Sequence, residues 1–474
     1  MKRIIICFDG TWNKIDAKEP TNVLMMATGL TPKTAITAKS KLSVTQIIHY
    51  DEGIGTHGGW IRRHIDGMFG LGVLKNMQEA YRFLMFNYDP QDEVYVFGFS
   101  RGAFTARSFV GLVRSVGIIQ RDHVKNVTEG IRLYKKGLKF DDPKMLSFRA
   151  LHSRHISTCG EDETHRCDLP DYLKGSSLPF KFRYVGLWDT VESIGFWKIV
   201  WASLMKRKQK AFVDSDHKYH DHKLNGMITA GRHAVALDER RPHFHSEPWG
   251  KVADANDRLG FKDTDPKRPI QEMFFPGNHG SVGGGGDVRG LSDGAFDWIL
   301  DGAKEAGLEL DTSPTSSVFS VLPDYQDSLR NSTTPPKKFS IMNMLAQTRN
   351  HKPKGLHQLH ESVKRRWKHG GHNGETYRSK TLTHLSEALD KLDFAPPLKQ
   401  KQVRGKTEAS KSEKAFTYHT IVKGETLGKI AKRELGDPKR YKEIFELNTG
   451  TLHNPDKIYP GQVIRIPVDE TETN

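Results

Sequence analysis

The first 300 residues alternate short apolar runs with longer stretches of helical spacing. Arg3 to Phe8 is nearly continuous in apolar residues, as a strand covered on both faces requires. Val44 to Tyr50 predicts a second strand and Val94 to Phe99 a third. Val73, Met77, Ala80, Tyr81, Leu84 and Met85 recur at helical intervals and predict an amphipathic helix between them. Two further apolar runs end at Trp188-Asp189-Thr190 and at Pro276-Gly277-Asn278-His279. This rhythm predicts an α/β fold, a doubly wound and mostly parallel sheet with helices on both faces. Ligands of such sheets meet the carboxyl ends of the strands, where the polar residues considered below fall.

From about Asp311 the periodicity weakens. Residues 331–398 mix Pro, His, Lys and Arg with short helical patches and read as a basic extension of the α/β domain over 1–330. Residues 399–415 are polar, charged and nearly free of apolar side chains, the composition of a linker. A compact module is predicted over 416–468.

Charge narrows the partners. With 72 Lys and Arg against 57 Asp and Glu, the 474-residue chain has a formal net charge of +15. Such a surface attracts anionic lipid, nucleic acid or cell-wall polymer, although solubility alone also accounts for it. No basic stretch is interleaved with aromatics as in nucleic-acid motifs, so lipid or wall is favoured and no nucleic-acid partner is expected. The three cysteines, Cys7, Cys159 and Cys167, form no disulfide framework and no strong zinc spacing, which favours folding in a reducing cytoplasm. Met1-Lys2-Arg3 is basic, but the apolar run after it is short and ends at Asp9, so no signal peptide is predicted. Action outside the cytoplasm would then need a dedicated route other than Sec.

The sharpest chemical signal is Gly98-Phe99-Ser100-Arg101-Gly102, between an apolar strand and a small-residue helical start. A serine on a tight strand-to-helix turn presents its hydroxyl at the top of the sheet, and its flanking positions tolerate no side chain. The helix behind it aims N–H groups at an oxyanion formed beside Ser100. A serine nucleophile needs a base and an orienting acid. Asp189 and His279, each at a strand's carboxyl end, supply them in hydrolase order, with Asp238 as the alternative acid. An ion pair with a nearby arginine is the competing role for Asp238. Backbone N–H groups of Gly10, Thr11 and Arg101 are the candidate oxyanion donors. Asp9-Gly10-Thr11 also resembles a haloacid-dehalogenase phosphatase motif, but Cys7 stands where that chemistry needs an aspartate.

Phe196 to Met205, rich in aromatic and aliphatic residues, precedes Lys206-Arg207-Lys208-Gln209-Lys210. Trp197, Trp201, Lys206 and Arg207 are therefore candidate membrane contacts, in a stretch placed where a lid would sit; a buried helix explains them equally. His217, His220 and His222 crowd around Asp221, but a polar loop fits them better than a metal, and no metal or cofactor is expected.

Five ordered stretches resemble one family, the α/β hydrolases that include type VI secretion phospholipase effectors. They are Phe8-Asp9-Gly10-Thr11-Trp12-Asn13, Gly98 to Ala103, Gly186 to Val191, Ala236 to Arg241, and Phe275 to His279. The resemblance implies an α/β-hydrolase-like fold and a serine lipase or phospholipase, with Ser100 as nucleophile and His279 as base. It also implies secretion-apparatus and immunity proteins as partners, and delivery to the periplasm of a target cell. Where the family usually has Ser-Asp-Val-Gly-Gly-Gly after its histidine, this chain has Gly280-Ser281-Val282-Gly283-Gly284-Gly285, so Ser281 replaces an aspartate.

Tyr418 to Leu427, Leu435-Gly436-Asp437, Asn454-Pro455-Asp456-Lys457-Ile458 and Pro460-Gly461-Gln462 are similar to LysM. That resemblance implies a small α+β (βααβ) module binding peptidoglycan or another N-acetylglucosamine glycan through Gly424, Glu425, Thr426, Asn454, Pro455 and Ile458. Together these readings predict a lipid-ester hydrolase held at the wall. The alternative is a degenerate, non-catalytic hydrolase that binds cell wall.

Overall fold

The computed structural model describes residues 1–10, 19–33, 43–53, 65–167, 169, 172–191, 223–241, 244–311, 316, 318, 321–333, 349, 351–394, 416–422, 424–448, 452, 455, 458 and 463–467. A six-stranded, all-parallel sheet organises the first part of the chain. Its strands are β1 (Arg3–Phe8), β2 (Gln46–Asp51), β3 (Glu93–Phe99), β6 (Tyr184–Trp188), β7 (Gly231–Ala236) and β8 (Ile270–Phe275), in the spatial order β2-β1-β3-β6-β7-β8. The two-residue strands β4 (Ile156–Ser157) and β5 (Leu178–Pro179) pair separately.

Alternation along the strands divides the core between two layers. Ile4, Ile6 and Phe8 join Val94 and Val96 in a cluster with helices α2 (Ile65–Asn87) and α3 (Arg101–Val116). Ile5 and Cys7 join Tyr95, Phe97 and Trp188 in a second cluster with α1 (Asn22–Thr28) and the helix Gly290–Glu305. Both faces are covered, which is why these strands read as nearly unbroken apolar runs. A third cluster joins Val235, Leu237 and Phe274 to Leu359, Val363, Trp367, Tyr377, Leu382 and Leu389, so the residues past 350 pack on the β7–β8 side of the sheet.

The sequence expectation of a doubly wound α/β sheet holds. β7 was not among the expected strands. Arg232 and His233 interrupt its apolar pattern, yet Arg232 reaches out to Glu305 and His233 is fully buried with a carboxylate partner. Among the described residues, no single helix is long and apolar enough to cross a membrane. The chain runs from β1 to β2 on one side and from β3 to β6 on the other. The order therefore reverses between the carboxyl ends of β1 and β3, where such sheets open a crevice.

The C-terminal module has the βααβ form. β9 (Phe416–Thr420) and β10 (Val463–Pro467) are antiparallel, with the helices Leu427–Leu435 and Tyr441–Leu447 between them. Ile421, Leu427, Ile430, Ile444, Ile464 and Ile466 form its core. Asn448 ties the second helix to β10, donating to the Ile444 and Arg465 carbonyls and accepting from the Arg465 N–H.

Candidate active site

Ser100 occupies the reversal point. It links β3 to α3 at φ 60° and ψ −123°, a backbone state that few residues other than glycine adopt. The turn survives because both flanking glycines are needed. A Cβ on Gly98 would lie 2.7 Å from the Ala103 Cα, and one on Gly102 2.6 Å from the Phe8 carbonyl carbon. The Ser100 N–H donates to the Trp188 carbonyl at 3.0 Å, which locks the elbow to the end of β6.

Asp189 follows directly, also with positive φ (37°), and its side chain is fully buried. Its Oδ2 lies 2.6 Å from His279 Nδ1. A carboxylate only accepts, so Nδ1 carries the proton and Nε2 is left as the basic nitrogen. Asp189 Oδ1 accepts from the Ala236 N–H at 2.9 Å. The Arg349 guanidinium grips both oxygens, Nη1 on Oδ1 at 2.9 Å and Nη2 on Oδ2 at 2.7 Å. Burial works against the charge of Asp189, but Arg349 and His279 outweigh it and hold the carboxyl well below the usual carboxylate range.

His279 opens a short helical turn behind Asn278, whose side chain accepts from the Ser281 N–H and hydroxyl. Phe99 stacks on the imidazole at 4.6 Å between centroids, and Phe244 meets it edge-on at 4.7 Å. Burial keeps His279 below the ordinary imidazole value despite the opposing pull of Asp189. Among the described residues no hydrogen bond joins Ser100 to His279. Such contacts commonly tighten only with substrate bound.

Among the described residues no hydrogen bond joins Asp238 to His279. Asp238 accepts from the Gly277 N–H and the Tyr377 hydroxyl, both at 2.8 Å. Arg240 acts on Asp238 electrostatically, while the neighbouring Glu239 takes Arg241, at 2.7 Å, and also accepts the His279 N–H at 3.2 Å. Glu239 has the reach to fold onto Arg241, whereas the shorter Asp238 is spent on the turn before His279. Ser281 is buried on Asn278 and Asn331 and bonds to neither His279 nor Asp189.

Of the oxyanion candidates, Arg101 is the first residue of α3, and the helix itself leaves its first N–H groups unsatisfied. Burial pushes the Arg101 guanidinium down to about 10. The Gly10 N–H is turned onto Asp9 Oδ1 at 2.6 Å, so it would have to leave that carboxylate to serve. Thr11 lies outside the described residues, as do Trp197, Trp201, Lys206, Arg207, the cluster at His217, His220, Asp221 and His222, and the linker at 399–415. Asp9 itself is bound by the Thr21 and Tyr50 hydroxyls. Among the described residues no group of three or more His, Cys, Asp or Glu side chains is arranged to hold a metal.

In the C-terminal module, Gly424 has φ +90° and Thr426 caps the helix Leu427–Leu435 by accepting from the Lys429 N–H. Glu425 is committed inside the module: it accepts from the Val422 N–H and pairs with His419 and Arg433. Pro455 and Ile458 are half-buried, and Asn454 lies outside the described residues.

Arg349 went unforeseen, as did a second buried network. His351 Nε2 lies 3.1 Å from Glu272, whose other oxygen takes His233 Nδ1 at 2.8 Å. The far nitrogen of His233 accepts from the Thr190 N–H, beside Asp189, at 3.2 Å.

Comparison with known proteins agrees with this architecture. Residues 2–302 match the type VI secretion (T6SS) phospholipase effector Tle1-like catalytic domain, and residues 419–467 match the LysM domain. An uncharacterized protein of Saccharomyces cerevisiae is 28% identical over 256 residues, 51% of this chain and 32% of that protein. The potassium binding protein Kbp of Escherichia coli O6:H1 is 46% identical over 66 residues, 14% of this chain and 42% of Kbp. The chain thus spans well under two thirds of these curated relatives. A solved structure of the Tle1 effector bound to the VgrG spike of the type 6 secretion system aligns over 60% of this chain and 51% of that one, at 18% identity and a TM-score of 0.30. By its match over residues 2–302, the chain belongs to the Tle1-like family of type VI secretion phospholipase effectors, and it carries a LysM domain as well.

Proposed function

We propose that the protein is a serine hydrolase of lipid carboxylic esters, a phospholipase held near the cell wall by its LysM domain. The observation that carries this reading is the strained Ser100 elbow at the end of β3, next to the Asp189–His279 pair at the ends of β6 and β8. His279 Nε2 takes the Ser100 hydroxyl proton as Oγ attacks the acyl carbonyl. The Arg101 N–H, with a donor from the loop after β1, holds the oxyanion. His279 returns the proton to the leaving alcohol. Water then attacks the acyl-enzyme by the same relay, releasing the fatty acid and restoring Ser100. Asp189 stays ionised throughout and keeps the imidazole in its working tautomer.

Family membership supports delivery by the type VI apparatus, which bypasses Sec, with a spike protein and an immunity protein as partners. The LysM match supports a peptidoglycan contact through Gly424, Thr426, Asn454, Pro455 and Ile458; Glu425 acts by shaping that loop. The basic charge supports a membrane surface as the site of action. The domain reading remains a catalytic unit over 1–330 with its extension to 398, a linker, and the wall-binding module.

Fatty-acid release from mixed phospholipid vesicles by wild type and Ser100→Ala tests this. Release that disappears in the variant is the expected result. Equal release by both proteins refutes the serine mechanism. No release by either, with the fold intact, favours a wall-binding protein with a degenerate hydrolase domain.

A further inference from the structure

Two carboxylates and two guanidiniums surround His279. Asp189, after β6, accepts from its imidazole, and Glu239, after β7, accepts from its backbone N–H. Arg241 is paired with Glu239 and lies 3.8 Å over the Phe244 ring that packs on His279. Arg349, from the segment past residue 302, is paired with Asp189. Each carboxylate thus has its own guanidinium. The Asp189 pair is the more deeply enclosed, its two side chains 0% and 2% exposed.

The two pairs differ in how they touch the imidazole. Arg349 Nη2 and His279 Nδ1 converge on the same oxygen, Asp189 Oδ2, at 2.7 and 2.6 Å. A cation sharing that oxygen with the imidazole opposes a second positive charge beside it. The two-point grip also fixes the plane of the carboxylate, which a single bond from His279 would leave free to turn. Two residues on, His351 binds Glu272, whose network reaches the Thr190 N–H. The same segment therefore supports the Asp189 turn from two directions.

We propose that Arg349 is a positioning residue for the hydrolysis proposed above: it fixes the Asp189 carboxylate and offsets its charge at His279, and so helps set the pH at which His279 works as a base. The inference rests on the reading of Ser100, His279 and Asp189 as one triad. The sign follows from electrostatics. With Arg349 gone, the Asp189 charge acts unopposed and favours the imidazolium. His279 then stays protonated to higher pH, and the acid limb of kcat/KM moves up.

The test uses the full chain and a soluble ester, with pH profiles of kcat/KM for wild type, Arg349→Met and Arg349→Lys. Arg349→Met should raise the acid limb by about one pH unit, roughly a tenfold loss on the limb, with a smaller loss on the plateau. Arg349→Lys keeps the charge and loses the two-point grip, so its plateau should fall while its limb stays in place. A profile for Arg349→Met that is only scaled down, or unchanged, overturns the proposal. If Arg349→Met does not fold, Arg349→Lys decides alone: a displaced limb there overturns it. Ser100→Ala is assayed alongside. Activity surviving in it refutes the triad reading instead. The His279 ring proton, identified by its loss in His279→Ala and titrated by NMR in the Ser100→Ala protein with and without Arg349→Met, still judges Arg349 without reference to turnover.

Discussion

Replacing Asp189 by asparagine keeps the side chain's shape and removes its charge. Asp189 is fully buried and accepts four hydrogen bonds: two from Arg349, one from His279 at 2.6 Å and one from the Ala236 N–H at 2.9 Å. An amide offers one accepting oxygen, and its nitrogen must donate, so at least one of these donors would face another donor. Arg349 would remain enclosed without its carboxylate, and losing the partner of a buried charge costs about 3–5 kcal/mol. Against a typical domain stability of about 5–15 kcal/mol, that loss is large enough to read easily in a urea midpoint. Where the amide nitrogen meets His279, the imidazole must move its proton to Nε2, the nitrogen needed to accept from Ser100. Turnover should then fall about 10³- to 10⁴-fold. The assay pairs kcat on a soluble ester, taken well below the melting temperature, with urea denaturation of the same sample. The double variant Asp189→Asn, Arg349→Met removes the orphaned guanidinium, and it should regain most of the stability and none of the turnover. A folded Asp189→Asn protein that keeps kcat within about tenfold of wild type would remove Asp189 from the mechanism.

Gly102→Ala would place a Cβ 2.6 Å from the Phe8 carbonyl carbon, against backbone that cannot swing aside. It should cost about 1–3 kcal/mol in denaturant unfolding and slow labelling of Ser100 by a fluorophosphonate, and unchanged values for both would contradict the packing argument. His360 is stacked on Phe275, and its Nδ1 accepts from the Ser362 N–H that starts the helix Glu361–His369. Burial pushes it down to about 3, so the unfolded chain takes up this proton at a higher pH than the folded one. Stability should therefore decline as the pH falls from about 6.5 towards 3, by about 2 kcal/mol at pH 5 from this residue, and His360→Asn, which keeps an N-cap acceptor, should flatten that decline. Asn448→Leu would remove the hydrogen bonds that Asn448 makes to the Arg465 N–H and carbonyl and should lower the stability of the LysM domain by about 1–3 kcal/mol, read in its calorimetric transition, with the hydrolase transition unmoved.

The Ser100 elbow was legible because its chemistry is local: two glycines, a strand and a helix start within a few residues. Asp189 and His279 were legible through their places at strand ends, where parallel topology gathers side chains distant in sequence. Arg349 was not. It sits 160 residues from Asp189, in a stretch without periodicity, where one arginine looks like any other on a basic chain. β7 was missed because a buried His233 and a snorkelling Arg232 break the apolar run, and the partners that make them tolerable, Glu272 and Glu305, lie on other elements. The commitment of Glu425 to His419 and Arg433 was hidden for a related reason. A loop carboxylate reads as ligand-facing until the helix that folds back on it is known.

The family match ends at residue 302, but the environment of His279 does not. Arg349 supplies the second charge on Asp189, His351 supports the network under Thr190, and Leu359, Val363 and Trp367 cover Val235, Leu237 and Phe274 on the strands that precede Glu239 and His279. A chain cut at 302 would expose that apolar face and leave two enclosed carboxylates, Asp189 and Glu272, each short of a cationic or imidazole partner. Burial disfavours the charged form of both, so each would draw in water and lean harder on the imidazole it keeps, Asp189 on His279 and Glu272 on His233. An Asp189 carboxylate balanced by His279 alone would favour the imidazolium and lose the two-point grip that fixes its plane. The segment past 302 thus belongs to the surroundings of the proposed site by electrostatics as much as by packing. Among relatives sharing the 2–302 domain, those lacking an arginine in place of Arg349 should show acid limbs displaced to higher pH.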